Sequence, residues 1–235
     1  MKPFAADLYP AIAGLGVSCA STPPLTRSAP TPGGNFLNAM DELIPNVDVP
    51  EGIRGNWRVE RFTVSDTDIE IENLRCMFKA GMGGRIMRPG TYTRLMCGRE
   101  IVMSDTSAEK RDHVEAVRRA KGAVLLNGLG LGMVLNACLL KPEVQRAIVV
   151  EKSSDVLALV APHYDAKFEN KVQFVLADAL EYTPPRGLRF GMVWHDIWAF
   201  ICSDNLESMK RLHRRYSKRT EWQGSWCRSL CEIHA

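Results

Sequence analysis

The sequence predicts an α/β protein in which a doubly wound parallel sheet follows a small antiparallel β region. From Ala123 onward, short apolar strands alternate with helices, the order that produces a parallel sheet. These strands show little polar alternation, as strands covered on both faces do. The first of them runs into a glycine-rich turn, Gly128-Leu-Gly130-Leu-Gly132, that opens a helix. A strand, a glycine turn and a helix in this order are typical of a nucleotide-type cofactor site.

Composition limits the classes of protein to consider. The chain has 235 residues, of which 46% are hydrophobic and 24% charged, enough for one sizeable core with a small appendage. A net charge of +3 argues against nonspecific nucleic-acid binding as the main role. No apolar run approaches the ~20 residues of a membrane helix. Seven scattered cysteines, an odd number, favour reduced thiols and a cytoplasmic location.

Three regions are predicted along the chain. Residues 1–35 are rich in Pro, Ser, Thr, Ala and Gly and are expected to form a flexible leader. A secretion signal is the less favoured alternative, because Lys2 is soon followed by Asp7 and Pro10. Residues 36–104 form a β-rich region, and residues 105–235 form the cofactor-binding domain.

The β-rich region is predicted from alternation and turn residues. Side chains alternate in character over Trp57–Val64, as in a half-buried strand. Cys97-Gly98-Arg99 indicates a hairpin turn, and Gly81, Gly83 and Gly84 mark a loop before it. The predicted elements are a short helix over 36–43 and strands over Trp57–Val64, 92–96 and 100–103.

The cofactor-binding domain begins with a helix over 107–120, where Thr106 and Glu109 form a capping-box pattern. Pro142 and Pro162 mark the ends of two later helices. At most one short strand fits after the last helix, so the sheet is expected to be shortened at its C-terminal side. The predicted elements are strands over 124–126, 147–150, Val172–Leu176 and 190–194, and helices over 131–140, 155–161 and Asn205–Tyr216.

Four of the predicted strands end in residues suited to ligand binding. Parallel strands bring their carboxyl ends to one edge of the sheet, where doubly wound folds bind ligands. This convergence is a stronger signal than any one motif. The candidate site residues are Gly128, Gly130, Gly132, Glu151, Asp178, Ala179, His195 and Asp196.

Each residue type suggests a role and an alternative. The glycines would let backbone N–H groups approach a ligand, or would only allow tight helix–strand packing. Glu151 could accept hydrogen bonds from a ribose diol or cap the following helix, and Asp178 could accept from an adenine amine or simply start a loop. His195 and Asp196 lie where a reacting group would sit, although His195 is equally suited to a structural hydrogen bond.

Residues 122–198 resemble a class I S-adenosylmethionine-dependent methyltransferase domain. Met133 stands where the dinucleotide fingerprint requires a small residue, in agreement with a cofactor that has no phosphate. The resemblance implies S-adenosyl-L-methionine as the cofactor, with the three glycines lining its methionine part. It also implies that Glu151 holds the ribose and that Asp178 and Ala179 hold the adenine. The acid that this family often carries before the glycines is replaced by Leu126.

Two narrower resemblances concern the acceptor. Residues 92–198 follow the layout of spermidine synthases, with Asp112-His113 in the helix and Asp196 matching the first acid of that family's Asp-x-x-Asp pair. Residues 50–235 are similar to small bacteriophage-encoded methyltransferase-like proteins, through phrases such as Trp194-His-Asp-Ile-Trp198. A phage origin would place the protein in the host cytoplasm.

The sequence thus predicts a methyltransferase of unknown acceptor, in which Asp196 or His195 orients or deprotonates the acceptor. Aminopropyl transfer and a non-catalytic cofactor-binding or scaffold module are the alternatives. A homo-oligomer could cover the edge of the shortened sheet. No metal site is expected, because Cys227, Cys231 and His234 lack a fourth ligand.

A basic cluster near the C-terminus also has two interpretations. A solvated helix face is favoured over a nucleic-acid partner, because Tyr216 is the only interleaved aromatic residue. The members of the cluster are Lys210, Arg211, Arg214, Arg215, Lys218 and Arg219.

Overall fold

The computed structural model of the chain describes residues 34–67, 69 and 88–233. Residues 1–33 of the predicted leader and the loop predicted at Gly81, Gly83 and Gly84 lie outside the described residues. Helix α1, Gly34–Leu43, opens the described chain and confirms the predicted short helix.

A four-stranded antiparallel sheet follows, with its strands in sequence order. Three of the strands confirm the predicted ones, and the hairpin turn at Gly98 lies between the last two. Strand β1 was not predicted, since its three residues are too few to show alternation. The strands are β1 Gly52–Arg54, β2 Trp57–Val64, β3 Gly90–Cys97 and β4 Glu100–Ser104.

The second sheet has five strands in the order β7-β6-β5-β8-β9, and every neighbouring pair is parallel. This order is that of a Rossmann-like sheet, with the change of direction between β5 and β8. The predicted parallel sheet is confirmed, including one further strand after the last long helix. The strands are β5 Gly122–Asn127, β6 Val144–Glu151, β7 Val172–Leu176, β8 Phe190–His195 and β9 Thr220–Ser225.

Helices cover both faces of this sheet. Val124 and Leu126 of β5 point into one core, whereas Leu125 points into a second core with Leu212 and Tyr216. The sheet is therefore doubly wound. Among the described residues, no helix is both long and apolar enough to cross a bilayer. The remaining helices are α2 Ser107–Arg119, α3 Met133–Leu139, α4 Ser154–Lys167, α5 Asn205–Tyr216 and α6 Arg228–Ile233.

Buried polar contacts join the antiparallel sheet to the rest of the molecule. Asp105, which follows β4, is fully buried and accepts hydrogen bonds from the N–H groups of Thr93 at 2.7 Å and Val47 at 2.9 Å. The buried Lys110 of α2 donates to Asp41 of α1 at 2.8 Å. Asp105 and Lys110 thus fix the N-terminal segment against α2.

Two sequence predictions about helix ends were wrong. Thr106 makes no side-chain cap, and its hydroxyl bonds to Ser104 instead, so the capping box does not form. Helix α4 also continues through Pro162 to Lys167 rather than ending at residue 161. The extension is held by Tyr164, which is fully buried and donates its hydroxyl to the carbonyl oxygen of Leu131 at 2.8 Å. This packing outweighs the cost of the proline.

Candidate active site at the carboxyl edge of the sheet

The predicted strand ends meet at one edge of the parallel sheet. Asn127, at the end of β5, lies between Val150 of β6 and His195 of β8. The N–H of Gly128 donates to the carbonyl oxygen of Val150, and the N–H of Asp196 donates to that of Asn127, both at 2.8 Å. The glycine loop therefore starts between the ends of β6 and β8.

Packing against protein explains why the loop requires its glycines. Gly128, Gly130 and Gly132 have φ values of 101°, 51° and 72°, in the left-handed region that other residues rarely adopt. A Cβ at Gly128 would meet the carbonyl oxygen of Asp196, and one at Gly132 would meet the Tyr164 ring. These contacts support the packing interpretation, because the atoms that a side chain at these positions would meet belong to the protein itself.

The backbone donors of the loop are also largely used within the protein. The N–H of Leu129 donates to Glu151 Oε2 at 2.9 Å, and the N–H of Leu131 lies 3.2 Å from Met103 Sδ. The N–H of Gly132 donates to the carbonyl oxygen of Leu129 at 2.8 Å. A phosphate cradle needs several free N–H groups that converge, so this loop is poorly suited to hold a phosphate.

Glu151 links the glycine loop to the turn that follows β6. Its second oxygen, Oε1, accepts from the N–H of Ser153 at 2.8 Å. Ser153 in turn caps α4 by accepting from the N–H of Val156 at 3.2 Å. Glu151 is half-buried, and each carboxylate oxygen has a second lone pair that can accept from a ligand hydroxyl.

Asp178 and Ala179 follow β7 at the same edge. Asp178 is exposed and accepts from the N–H of Leu180 at 2.7 Å, while Ala179 is buried. The aspartate thus starts a turn, as its alternative interpretation predicts. Leu176, the last residue of β7, is 60% exposed and adds apolar surface at this edge. Such a pairing of acid and apolar surface suits a flat heterocyclic base.

His195 is a buried hydrogen-bonding residue. Its Nδ1 accepts from Asn127 Nδ2 at 2.7 Å, and its Nε2 lies 3.4 Å from Gln223 Oε1. Burial, together with nearby His213, lowers its pKa to about 3, so the ring is neutral. A fully buried ring with both nitrogens engaged agrees with the structural hydrogen bond that is the alternative interpretation of His195.

Asp196 lies at the centre of the edge and is only 19% exposed. Burial raises its pKa to about 7, and the negative charges of Asp112 and Glu151 add to the increase. Nε2 of the fully buried His113 lies 3.9 Å from Asp196 Oδ2. We call Asp112, Glu151 and Asp196 the carboxylate cluster.

The sequence singles out Asp112 and His113 only through the resemblance to spermidine synthases. Both lie on α2, which precedes the parallel sheet in the chain and therefore carries no strand-end signal.

A cleft of about 450 Å³ opens between α2, β9 and α6, and of the carboxylate cluster only Asp112 lines it. Asp112 and Glu115 line it, together with Trp194 and Trp222, whose rings stack with centroids 6.2 Å apart. Trp198, the other tryptophan near Asp196 in the sequence, instead donates to Ser208 of α5 at 2.9 Å. His213 and Arg228 also line the cleft, which thus combines acidic and basic groups with aromatic surface.

Cys227 lies at the cleft and donates its thiol to Asp112 Oδ2 at 3.3 Å, whereas the basic cluster contacts the β7–β8 connection. Arg211 and Arg215 donate to the β7–β8 connection, and Arg219 donates to the carbonyl oxygens of Pro184 and Pro185, both at 3.1 Å. No group of three potential metal ligands occurs within residues 34–67, 69 and 88–233.

Comparisons with known proteins give fold-level likenesses only. No family model and no curated protein matches the chain. The chain is similar in structure to the N-methyltransferase NodS from Bradyrhizobium japonicum, with 13% identity and a TM-score of 0.40 over 54% of this chain and 75% of that one. It is also similar to an S-adenosylmethionine-dependent methyltransferase from Clostridium acetobutylicum, with 13% identity and a TM-score of 0.35 over 47% and 43%.

A third similar structure is a dimethyladenosine transferase from Plasmodium falciparum, with 18% identity and a TM-score of 0.34 over 44% of this chain and 35% of that one. The alignments span less than two thirds of the last two proteins. Likenesses this weak do not establish the activity of the present chain, whose fold is defined by its own strand order.

Proposed function

We propose that the carboxyl edge of the sheet binds S-adenosylmethionine and that the protein transfers the methyl group to an acceptor held in the adjoining cleft. The carboxylate cluster beside the glycine loop is the observation that carries this proposal. Burial, and then the charges of Asp112 and Glu151, raise the Asp196 pKa, and the concentration of carboxylates at this edge favours a cationic ligand. The loop donors are used internally and disfavour phosphate. S-adenosylmethionine is a phosphate-free sulfonium, so it fits both properties.

The residues at the edge fit the three parts of this cofactor. The second lone pairs of Glu151 suit the ribose hydroxyls, and the exposed carboxylate of Asp178 suits the amine of the base beside Ala179. The glycine loop would lie along the methionine part. The cofactor supplies a methyl group already activated by the sulfonium, so the protein contributes mainly proximity and orientation.

Asp196 is the group we assign to proton removal from the acceptor. A carboxyl with a pKa of about 7 is partly ionised at neutral pH and is a stronger base than an ordinary aspartate. Asp196 is linked to the cleft by the charge of Asp112, which lines it and helps to raise the Asp196 pKa beyond the effect of burial. His195 acts as a positioning residue, since its bond to Asn127 holds the end of β8 against β5.

Calorimetric titration tests the cofactor assignment. We expect saturable binding of S-adenosylmethionine and S-adenosylhomocysteine, and none of NAD, which carries a pyrophosphate. Asp178→Ala should weaken binding of both cofactor forms, whereas Asp165→Ala, at an exposed position of α4, should leave it unchanged. If NAD binds and S-adenosylmethionine does not, the proposal is wrong.

Aminopropyl transfer is a second candidate, favoured by Asp112 and Glu115 in the cleft, because carboxylates suit a diamine acceptor. It predicts that putrescine and decarboxylated S-adenosylmethionine yield spermidine. Binding of the cofactor without turnover of any acceptor would instead indicate a non-catalytic cofactor-binding module.

A further inference from the structure

The β7–β8 connection, residues 177–189, contains turns and no helix. Three arginines at a spacing of four residues, two on α5 and one just after it, donate to this connection, which packs in the same core as α5. At this spacing the side chains of Arg211 and Arg215 lie along one side of the helix. Residues that approach a loop in this manner can determine its conformation.

Arg215 makes the most extensive contact. One of its terminal nitrogens donates to the carbonyl oxygens of Ala179 at 3.2 Å and Tyr182 at 2.9 Å, and the other donates to that of Leu180 at 2.5 Å. Arg211 adds a bond to Leu180 at 3.2 Å. Carbonyl oxygens in a loop lack the backbone N–H donors that they would have within a helix. The planar guanidinium offers several N–H donors in a fixed geometry.

The bonded segment begins at the residue after Asp178. Asp178 closes the same turn from its other side, because its backbone oxygen accepts from Tyr182 at 2.8 Å and its side chain accepts from Leu180. Arg215 and Asp178 therefore stabilise one turn between them. A change in the turn must change the direction of the Asp178 carboxylate.

We propose that Arg215 is a positioning residue that sets the affinity of the site for the adenosine end of the cofactor, by holding the turn that carries Asp178. This inference rests on the proposed function. It also gives the basic cluster a role other than binding an anionic partner.

The test compares Arg215→Met with Arg214→Ala, a change at an exposed arginine of the same helix. Arg215→Met should bind S-adenosylhomocysteine and adenosine about tenfold more weakly than wild type. This is the effect expected if the misplaced Asp178 carboxylate loses its one charge-assisted hydrogen bond to the adenine amine. Arg214→Ala should bind both ligands like wild type. Arg215→Lys keeps the charge but not the fork, and should lie between wild type and Arg215→Met.

A double-mutant cycle with Asp178→Ala separates positioning from general stability. If Arg215 acts through the turn, its replacement should have little further effect on affinity once Asp178 is removed. A folded Arg215→Met protein with wild-type affinity would overturn this inference alone, and so would equal effects of its replacement with and without Asp178. Should wild type bind no S-adenosylhomocysteine, the proposed function fails and this inference with it. If Arg215→Met does not fold, Arg215→Lys decides, and wild-type affinity in that variant overturns the inference.

Discussion

Replacing Gly132 by alanine should strongly destabilise the protein. The residue has a φ of 72°, and an alanine in the left-handed region costs about 1–2 kcal/mol. Its Cβ would also meet three ring atoms of the fully buried Tyr164, which has no space to retreat. Overpacking of this kind costs about 1–3 kcal/mol. The total of about 2–5 kcal/mol is a large part of the ~5–15 kcal/mol that stabilises an ordinary domain.

Gly98 provides a matched control. It has a similar φ of 60° at the tip of a hairpin, and nothing lies within 4 Å of an added Cβ. Gly98→Ala therefore incurs only the backbone cost, and the difference between the two variants isolates the clash. Gly130→Ala should fall between them, because its Cβ would meet the flexible thioether of Met103.

Urea unfolding followed by circular dichroism measures these differences as shifts in midpoint at constant slope. We expect the loss of stability to increase from Gly98→Ala through Gly130→Ala to Gly132→Ala. Equal destabilisation by Gly98→Ala and Gly132→Ala would refute the argument that contact with Tyr164 demands the glycine.

Three further predictions concern charge. Asp196→Asn should abolish methyl transfer but stabilise the protein relative to wild type at pH 8 and not at pH 4. The folded pKa of Asp196, about 7, exceeds the ordinary value of 3.8, so wild type loses up to about 4 kcal/mol of stability as pH rises from about 4 through 7. Unfolding at both pH values checks this, and an equal stability difference at each would contradict it. His195 has the opposite sign, because its pKa is lowered to about 3, so stability is lost as pH falls below about 6.5. His195→Gln should therefore reduce the fall in melting temperature as pH decreases below about 6.5. If the fall is the same as in wild type, the protonation of a buried neutral His195 ring does not cause it. Lys110→Ala should destabilise the fold by about 1–3 kcal/mol in urea unfolding, since it removes a buried partner of Asp41, and an effect below 0.5 kcal/mol would show that the contact is not stabilising.

The order of strands and helices could be predicted because the strands are continuous apolar runs separated by clear turn residues. The last turn of α4 could not, because Pro162 is a helix breaker in sequence terms and only the burial of Tyr164 overrides it. Strand β1 and helix α6 escaped prediction, since three and six residues carry too little periodicity.

The position of the candidate residues could be predicted where it depends on strand ends and not where it depends on packing between layers. Parallel topology alone brings Glu151, Asp178 and Asp196 to one edge. The burial of His195 follows from its contacts with α5 and β9, which no local pattern reveals. The contribution of Asp112 depends on how α2 packs beside β8.

A crystal structure of the protein with S-adenosylhomocysteine would test the central claim most directly. We predict the base beside Asp178 and Ala179, the ribose at Glu151 and the sulfur towards Asp196. Density for the ligand at any other part of the molecule, with the carboxyl edge empty, would contradict the account.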